Sequence, residues 1–221
     1  MFKNLSIIHK LNLIVFLLLT GLSGAITAAL VIEIDQALKQ DVIERQNKNI
    51  TVAAAILERE MPAFEAENLA EKSQRFELET IPNFYDHKKI DEIGKITGET
   101  ATIFIWDPKT RDYWRKTTNI VKDDGQRAIG TPLGKDGVVY PFIHRGETYI
   151  GEATILGKEY YTRYEPVYLK GSDKVAGILY VGLEKAQFDK KMADLIFREV
   201  SIAIMLTLLI VLIMHFFLRK V

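Results

Sequence analysis

Two uncharged apolar stretches stand near the ends of the chain, Leu11 to Ile32 and Val200 to Leu218, with a polar segment between them. Each is as long as a helix must be to cross a bilayer core of about 30 Å at 1.5 Å per residue. The pattern predicts five parts. Residues 1–10 form a cytoplasmic N-terminus, 11–34 a first transmembrane helix, 35–199 an extracytoplasmic domain with its core at 43–184, 200–218 a second transmembrane helix and 219–221 a cytoplasmic C-terminus. Lys3 and Lys10 precede the first span, and Arg219 and Lys220 follow the second. Short basic flanks stay on the cytoplasmic side, whereas long polar domains are translocated largely regardless of charge. In a bacterium this is a multi-pass protein of the inner membrane with its middle domain in the periplasm. A cleaved signal peptide is the alternative for the first stretch, because the basic start and the small residues Thr27-Ala28-Ala29 imitate one. Against it, the apolar run is long and helix-favouring sequence continues beyond Ile34.

Beyond the first span, Leu30, Ile34, Leu38 and Val42 recur every four residues. The spacing then alternates between four and three at Ile43, Asn47, Ile50, Ala54, Leu57 and Met61. That is a heptad seam, in which Asn47 would set register in a two-stranded coil; a single amphipathic helix packed on its own domain has the same pattern. Pro62 interrupts this helix. Ala63 to Glu79 reads as charged and partly helical, with Phe64, Leu69 and Phe76 available for packing. Ile90, Ile93 and Ile96 at intervals of three predict a short helix over 87–97 closed by Gly98.

From Thr100 the period changes to that of strands. Thr100 to Trp106 and Asp112 to Thr118 form a hairpin around Asp107-Pro108-Lys109-Thr110. A Gly-rich connection and a helical turn at Val138 to Ile143 follow. Thr148 to Leu156, Glu159 to Tyr168 and Val175 to Leu183 then make an antiparallel meander. Glu184 to Arg198 regains helical character and runs into the second span. The expected fold class is α+β: a long N-terminal helix and a five-stranded antiparallel sheet between two transmembrane helices.

Composition narrows the chemistry. The 221 residues carry 29 basic and 29 acidic side chains, a formal net charge of zero. Every Asp and Glu lies between Glu33 and Glu199, so the outer domain is mildly acidic and offers no basic patch for nucleic acid. The chain has no cysteine, which excludes thiol catalysis, Cys-ligated zinc and iron–sulfur clusters. The four histidines, His9, His87, His144 and His215, are scattered without metal-ligand spacing. The glycines form no phosphate-cradling motif and the serines no nucleophile elbow. No enzymatic activity, cofactor or metal is expected.

Several ordered runs carry a resemblance to a family. They are Thr97 to Phe104 (TGETATIF), Thr117-Thr118-Asn119, Asp124 to Thr131 (DGQRAIGT), Arg145 to Gly151 (RGETYIG), Ile155 to Pro166 (ILGKEYYTRYEP) and Gly177 to Gly182 (GILYVG). Over roughly Ile43 to Glu184 the chain resembles the Cache sensor domain, of the Cache 3/Cache 2 fusion type found in methyl-accepting chemotaxis proteins. The resemblance implies a PAS-like extracellular module that binds a small molecule and signals through its flanking helices. In chemoreceptors, histidine kinases and cyclases of this type the second span continues into a HAMP linker and an output domain. Here the sequence stops at Val221. The expectation is a chemoreceptor-type sensor that lacks its own output and works through an unknown cytoplasmic or membrane partner. A non-sensing scaffold or accessory subunit, or a fragment of a longer chemoreceptor or histidine kinase, is the alternative.

A pocket for a small carboxylate or amino acid needs an Arg fork with hydroxyls and aromatics around it. Alternation places Tyr113, Arg115 and Thr117 on one face of their strand, and Tyr160, Thr162 and Tyr164 on one face of theirs. Arg115, Thr117, Tyr160, Thr162 and Tyr164 are the ligand-binding candidates, with Tyr149 and His144 from the connection that folds over a PAS-like sheet. Each has a plainer alternative, since strand Arg residues are usually solvated or paired and Tyr is a common sheet residue. Arg127 reads as structural, pairing with an acidic neighbour to hold its loop. Gly21, Ser23, Gly24, Ala25, Thr27, Ala28 and Ala29 permit close helix approach in the first span and favour a bundle between two chains, a homodimer. Signal transfer would then be a small slide or rotation of Glu184 to Leu218 against the first helix.

Overall fold

The computed structural model describes residues 7–67 and 75–218; Lys3, Leu69, Arg219 and Lys220 lie outside them. The chain forms two compact units, one comprising the segments up to Gln40 and from Asp189, the other Asp41–Phe188. Helix α1 (Ile7–Glu60) belongs to the first unit by its N-terminal part, and α4 (Lys185–Leu218) belongs to it by all but its first turn. Both contain stretches long and apolar enough to cross a membrane. Leu17, Leu18, Leu22, Met205, Leu208 and Leu212 are exposed there, as lipid-facing side chains are. Their only mutual polar contact among the described residues is Ser23 Oγ to Thr207 Oγ1 at 3.2 Å. The Thr207 hydroxyl donates to the Ala203 carbonyl at 2.8 Å, so Ser23 supplies the proton between the helices. A Cβ added at Gly21 or Gly24 would meet no atom within 4 Å, so neither glycine serves helix packing within this chain.

The second unit is built on a seven-stranded sheet. Its strands are β1 (Phe64–Glu67), β2 (Arg75–Leu78), β3 (Thr100–Asp107), β4 (Asp112–Thr118), β5 (Tyr149–Ile155), β6 (Lys158–Leu169) and β7 (Val175–Glu184). They run in the order β1-β2-β6-β7-β3-β4, and β5 also pairs with β6. One edge of β6 is divided between two partners: Lys158 to Tyr164 pair with β5, and Val167 to Leu169 pair with β2 in parallel. The five-stranded antiparallel sheet expected from the sequence is corrected to seven strands with one parallel pairing: the expected strands are β3 to β7, and β1 and β2 are added to them through β2 beside β6. Within the span 63–79, read from the sequence as partly helical, the described residues form the strands β1 and β2 instead, and 68–74 lie outside the described residues. Phe64, Phe76 and Leu78 are buried while Glu65, Arg75 and Glu77 are not, a period of two in pieces of four residues. β2 is held by parallel pairing with the distant β6, and β1 pairs with β2 in turn, an arrangement that no local pattern discloses.

Helix α2 (Lys88–Thr97) ends where expected: Gly98 takes φ +70° and its N–H bonds the Gly94 carbonyl at 2.8 Å, the left-handed cap that Gly adopts without steric cost. Ile90 and Ile93 turn inward. With Ile50, Ala53, Ala54, Leu57, Ile103 and Leu179 they form the core on one face of the sheet. The heptad residues of α1 from Ile50 onward are therefore spent on their own sheet rather than on a sister helix. Asn47 accepts from Arg163 Nη1 of β6 instead of setting register in a coil; only Ile43, 49% exposed, points away.

The opposite face carries a second core of Phe104, Tyr113, Ile120, Tyr160, Tyr164, Ile178 and Tyr180. It is covered by α3 (Tyr140–His144) and the connection 119–139. That connection is stitched to β4 by backbone bonds from Arg115 N to Thr131 O (3.0 Å), Gly130 N to Arg115 O (2.9 Å) and Leu133 N to Tyr113 O (2.7 Å). Arg127 holds it from the other side, bonding both carboxylate oxygens of Asp91 at 2.7 Å and the Thr118 carbonyl at 2.7 Å, a fork geometry that fixes position.

Candidate functional site

Arg115 lies under this cover and is 4% exposed. Its guanidinium sits over the Phe104 ring, 4.8 Å from the centroid, and Nη1 donates to the Thr131 hydroxyl at 2.5 Å. Its Nε is buried with no hydrogen-bond partner, and no carboxylate of the described residues forms an ion pair with it. Burial pushes its pKa below the ordinary guanidinium value, and the nearby phenols of Tyr164, Tyr180 and Tyr160 oppose that shift. A charged group removed from water without a counter-charge costs several kcal/mol. An anion brought beside it would recover much of that cost.

Aromatic side chains enclose the group. Tyr164 packs against Tyr180 at 4.7 Å between centroids, against Tyr149 at 6.2 Å and against Phe104 at 6.3 Å. Tyr180 reaches the Thr100 hydroxyl at 3.0 Å. Burial raises the phenol pKa of Tyr164, Tyr180 and Tyr160, so all three stay neutral hydroxyls over the physiological range. The Thr100 hydroxyl donates to the Gly182 carbonyl at 2.7 Å, so Tyr180 gives its proton to Thr100, and Tyr160 and Tyr164 are the phenols that can donate to an anion. A cleft of about 350 Å³ opens beside Tyr160, lined by the apolar Ile120, Val121, Ile155 and Leu156 and by the charged Lys122, Asp123, Asp124 and Lys158. Of the residues around Arg115, Tyr160 lines this cleft, while Arg115, Tyr164 and Tyr180 do not.

Of the sequence candidates, the structure brings Arg115, Tyr149, Tyr160, Thr162 and Tyr164 to one face of the sheet, as the pairings Tyr164 with Tyr180 and Tyr160 with Ala153 require. The Thr162 hydroxyl is already committed to the Gly151 carbonyl at 2.8 Å. Tyr149 is half-buried and donates to the Glu152 carbonyl at 2.6 Å. Thr117 is not in this group. The β3–β4 register shifts between Ile103 and Phe104, pairing Ile103 with Thr117 but Phe104 with Arg115. Lys116 is the extra residue of a bulge, and it reverses the alternation of everything after it. Thr117 therefore faces the α1 side, where its hydroxyl meets His87 Nδ1 at 2.9 Å. Thr118 takes its place and shares a 2.7 Å hydrogen bond with Thr102. His144 is exposed at the end of α3, stacked on Tyr140 at 5.4 Å and 13°.

Thr131 and Tyr180 were missed. Tyr180 was legible, since Gly177-Ile178-Leu179-Tyr180 alternates and Ile178 faces the same core. Thr131 was not, because only the stitching of its connection to β4 brings it to Arg115.

A model of the Cache 3/Cache 2 fusion domain matches residues 79–202. No curated protein and no solved structure matches the chain.

Proposed function

The chain belongs to the Cache 3/Cache 2 fusion domain family, and from that premise we propose that it is a membrane-anchored sensor of the chemoreceptor type that binds a small carboxylate or amino acid at Arg115. The family match and the two flanking apolar helices support an extracellular sensor domain held at a membrane. One observation carries the ligand class: a fully enclosed guanidinium that has a hydroxyl partner but no counter-ion among the described residues. An Arg fork beside neutral phenols is a recognition site for a carboxylate. Tyr160 and Tyr164 lie on the same face to donate to its oxygens, and Tyr149 closes the aromatic wall. Binding would favour one arrangement of β6 and β7, and β7 continues directly into α4; the ligand can bias that helix only by its differential affinity for the two arrangements. In the cell the sensor would sit in the inner membrane with this unit in the periplasm and work as a homodimer.

The test is thermal unfolding of the full-length protein in lipid nanodiscs against acetate, propionate, lactate and the amino acids. A binding ligand at about 100 times its Kd adds about 2.7 kcal/mol, which raises Tm by several degrees. Arg115→Ala should remove the shift while the far-ultraviolet circular dichroism is retained. A wild-type protein unmoved by every member of the panel would end this reading.

A further inference from the structure

Successive side chains of β6 point to opposite faces of the sheet. Its even positions serve the side on which Arg115 lies: Tyr160 and Tyr164 share a core with Phe104, the ring over which that guanidinium sits. Its odd positions face α1, and Val167 joins the core there. On that side Arg163 donates from Nη1 to Asn47 Oδ1 of α1. Tyr161 meets Phe188 of α4 edge to face, with 5.5 Å between centroids and 78° between planes. Lys185, at the start of the same helix, bonds Glu152 of β5 at 2.7 Å and sits 5.5 Å from the centre of the Tyr161 ring. All of these residues belong to the unit Asp41–Phe188.

The link to α1 is not what neutralises the buried charge of β6. Arg163 has Glu165 for that, its Nε donating to Oε1 at 2.6 Å, and Glu165 accepts a second bond from the Thr148 hydroxyl at 2.6 Å. Asn47 is half-buried, and what it adds is a tie between one point of α1 and one point of the strand. Phe188 and Lys185 tie the first turn of α4 to the β5–β6 hairpin where β7 ends, since Glu184 pairs with Tyr160. Among the described residues β5 has β6 as its only strand partner. On that side the hairpin is free to shift without breaking a strand pairing.

We propose that β6 is a two-sided relay between the Arg115 site and both long helices, with Asn47 and Arg163 forming the link to α1, and Tyr161, Phe188 and Lys185 the link to α4. This rests on the assignment of a carboxylate to Arg115. A carboxylate that takes hydrogen bonds from Tyr160 and Tyr164 shifts the strand that carries them. Tyr161 and Arg163, their neighbours along the strand, carry that shift through the sheet to the helices. The ligand biases the helices only by its differential affinity for the two positions of β6, so cutting a link should silence one helix without weakening the ligand.

The experiment uses the full-length protein in nanodiscs with the acetate, propionate, lactate and amino-acid panel, and reads amide hydrogen exchange by mass spectrometry in α1 over 41–49 and in α4 over 185–190. A bound acid should change exchange in both segments of wild type by about threefold or more, as a shift in local opening does. Asn47→Ala should bind the acid within about twofold of wild type and lose the change in α1 alone. Asn47→Asp, which keeps an acceptor for Arg163, should restore it. Phe188→Ala should lose the change in α4 alone, again with the affinity kept. A change that survives in the helix whose link was cut, that vanishes from both helices together, or that is lost only with weakened binding would overturn the relay and leave the Arg115 site standing. So would an acid that binds wild type and alters neither helix. If no member of the panel binds wild type, the Arg115 site itself falls and the relay falls with it.

Discussion

The Arg115 guanidinium is held by the Thr131 hydroxyl at 2.5 Å, and that hydroxyl in turn donates to the Ala128 carbonyl at 2.8 Å. The cation is thus positioned by neutral groups alone, which orient it without discharging the cost of its burial. Elsewhere in the same unit the buried cation Arg163 has Glu165 beside it. Under the proposed function Arg115 is the arginine that receives a ligand and Arg163 the one that holds the fold, and this difference between them has measurable consequences.

Replacing Arg115 by Met should stabilise the ligand-free protein while abolishing its response to carboxylates. Met fills a similar volume and removes the unpaired charge, a change of about 1–4 kcal/mol in favour of folding where buried ions give way to packed apolar groups. Chemical denaturation of wild type and variant checks it; a variant less stable than wild type would show that Arg115 is structural.

Removing Glu165 should do the reverse. Arg163 and Glu165 are almost wholly enclosed, Arg163 also bonds Asn47 of α1 and Glu165 accepts from Thr148 at 2.6 Å. Glu165→Ala leaves a buried cation with one neutral partner and should cost about 3–5 kcal/mol. Equilibrium unfolding of the variant reads this directly.

Gly177 faces the Phe104 carbonyl so closely that an added Cβ would lie 2.5 Å from its oxygen. Phe104 is paired on both sides, with Arg115 of β4 and Ile178 of β7, so its backbone cannot move aside and Gly177→Ala should destabilise by about 1–3 kcal/mol. The midpoint of denaturant unfolding should fall with its slope unchanged.

High pH should unfold the sensor unit through its tyrosines. Tyr113, Tyr164 and Tyr180 have phenol pKa values raised above the ordinary 10.0, burial being the first cause in each. A group whose folded value is raised contributes fully below the unfolded value and loses that contribution as pH climbs toward the folded one. Stability should therefore be flat in this respect below about pH 10 and fall steeply above it. Following tyrosinate absorbance and circular dichroism together should show ionisation and unfolding in one transition, and Tyr164→Phe should lessen the pH dependence.

The sequence by itself determined whatever depends on neighbours along the chain. Length and hydropathy gave the two apolar helices, spacing of three gave α2, and Gly98 its end. Alternation with short turns gave β3 to β7 and placed Tyr160, Thr162 and Tyr164 on one side of β6. Tertiary structure decided whatever depends on partners distant in sequence. Pairing with β6 made a strand of Arg75–Leu78, which in turn paired Phe64–Glu67, and the sheet claimed the heptad face of α1 from Ile50 onward. The bulge at Lys116 sent Thr117 to the opposite face from Arg115, because one extra residue in a period-two element inverts all that follows it. The placing of Thr131 against Arg115 came from the same source: a hydrogen-bond ladder between segments whose periodicity says nothing of each other.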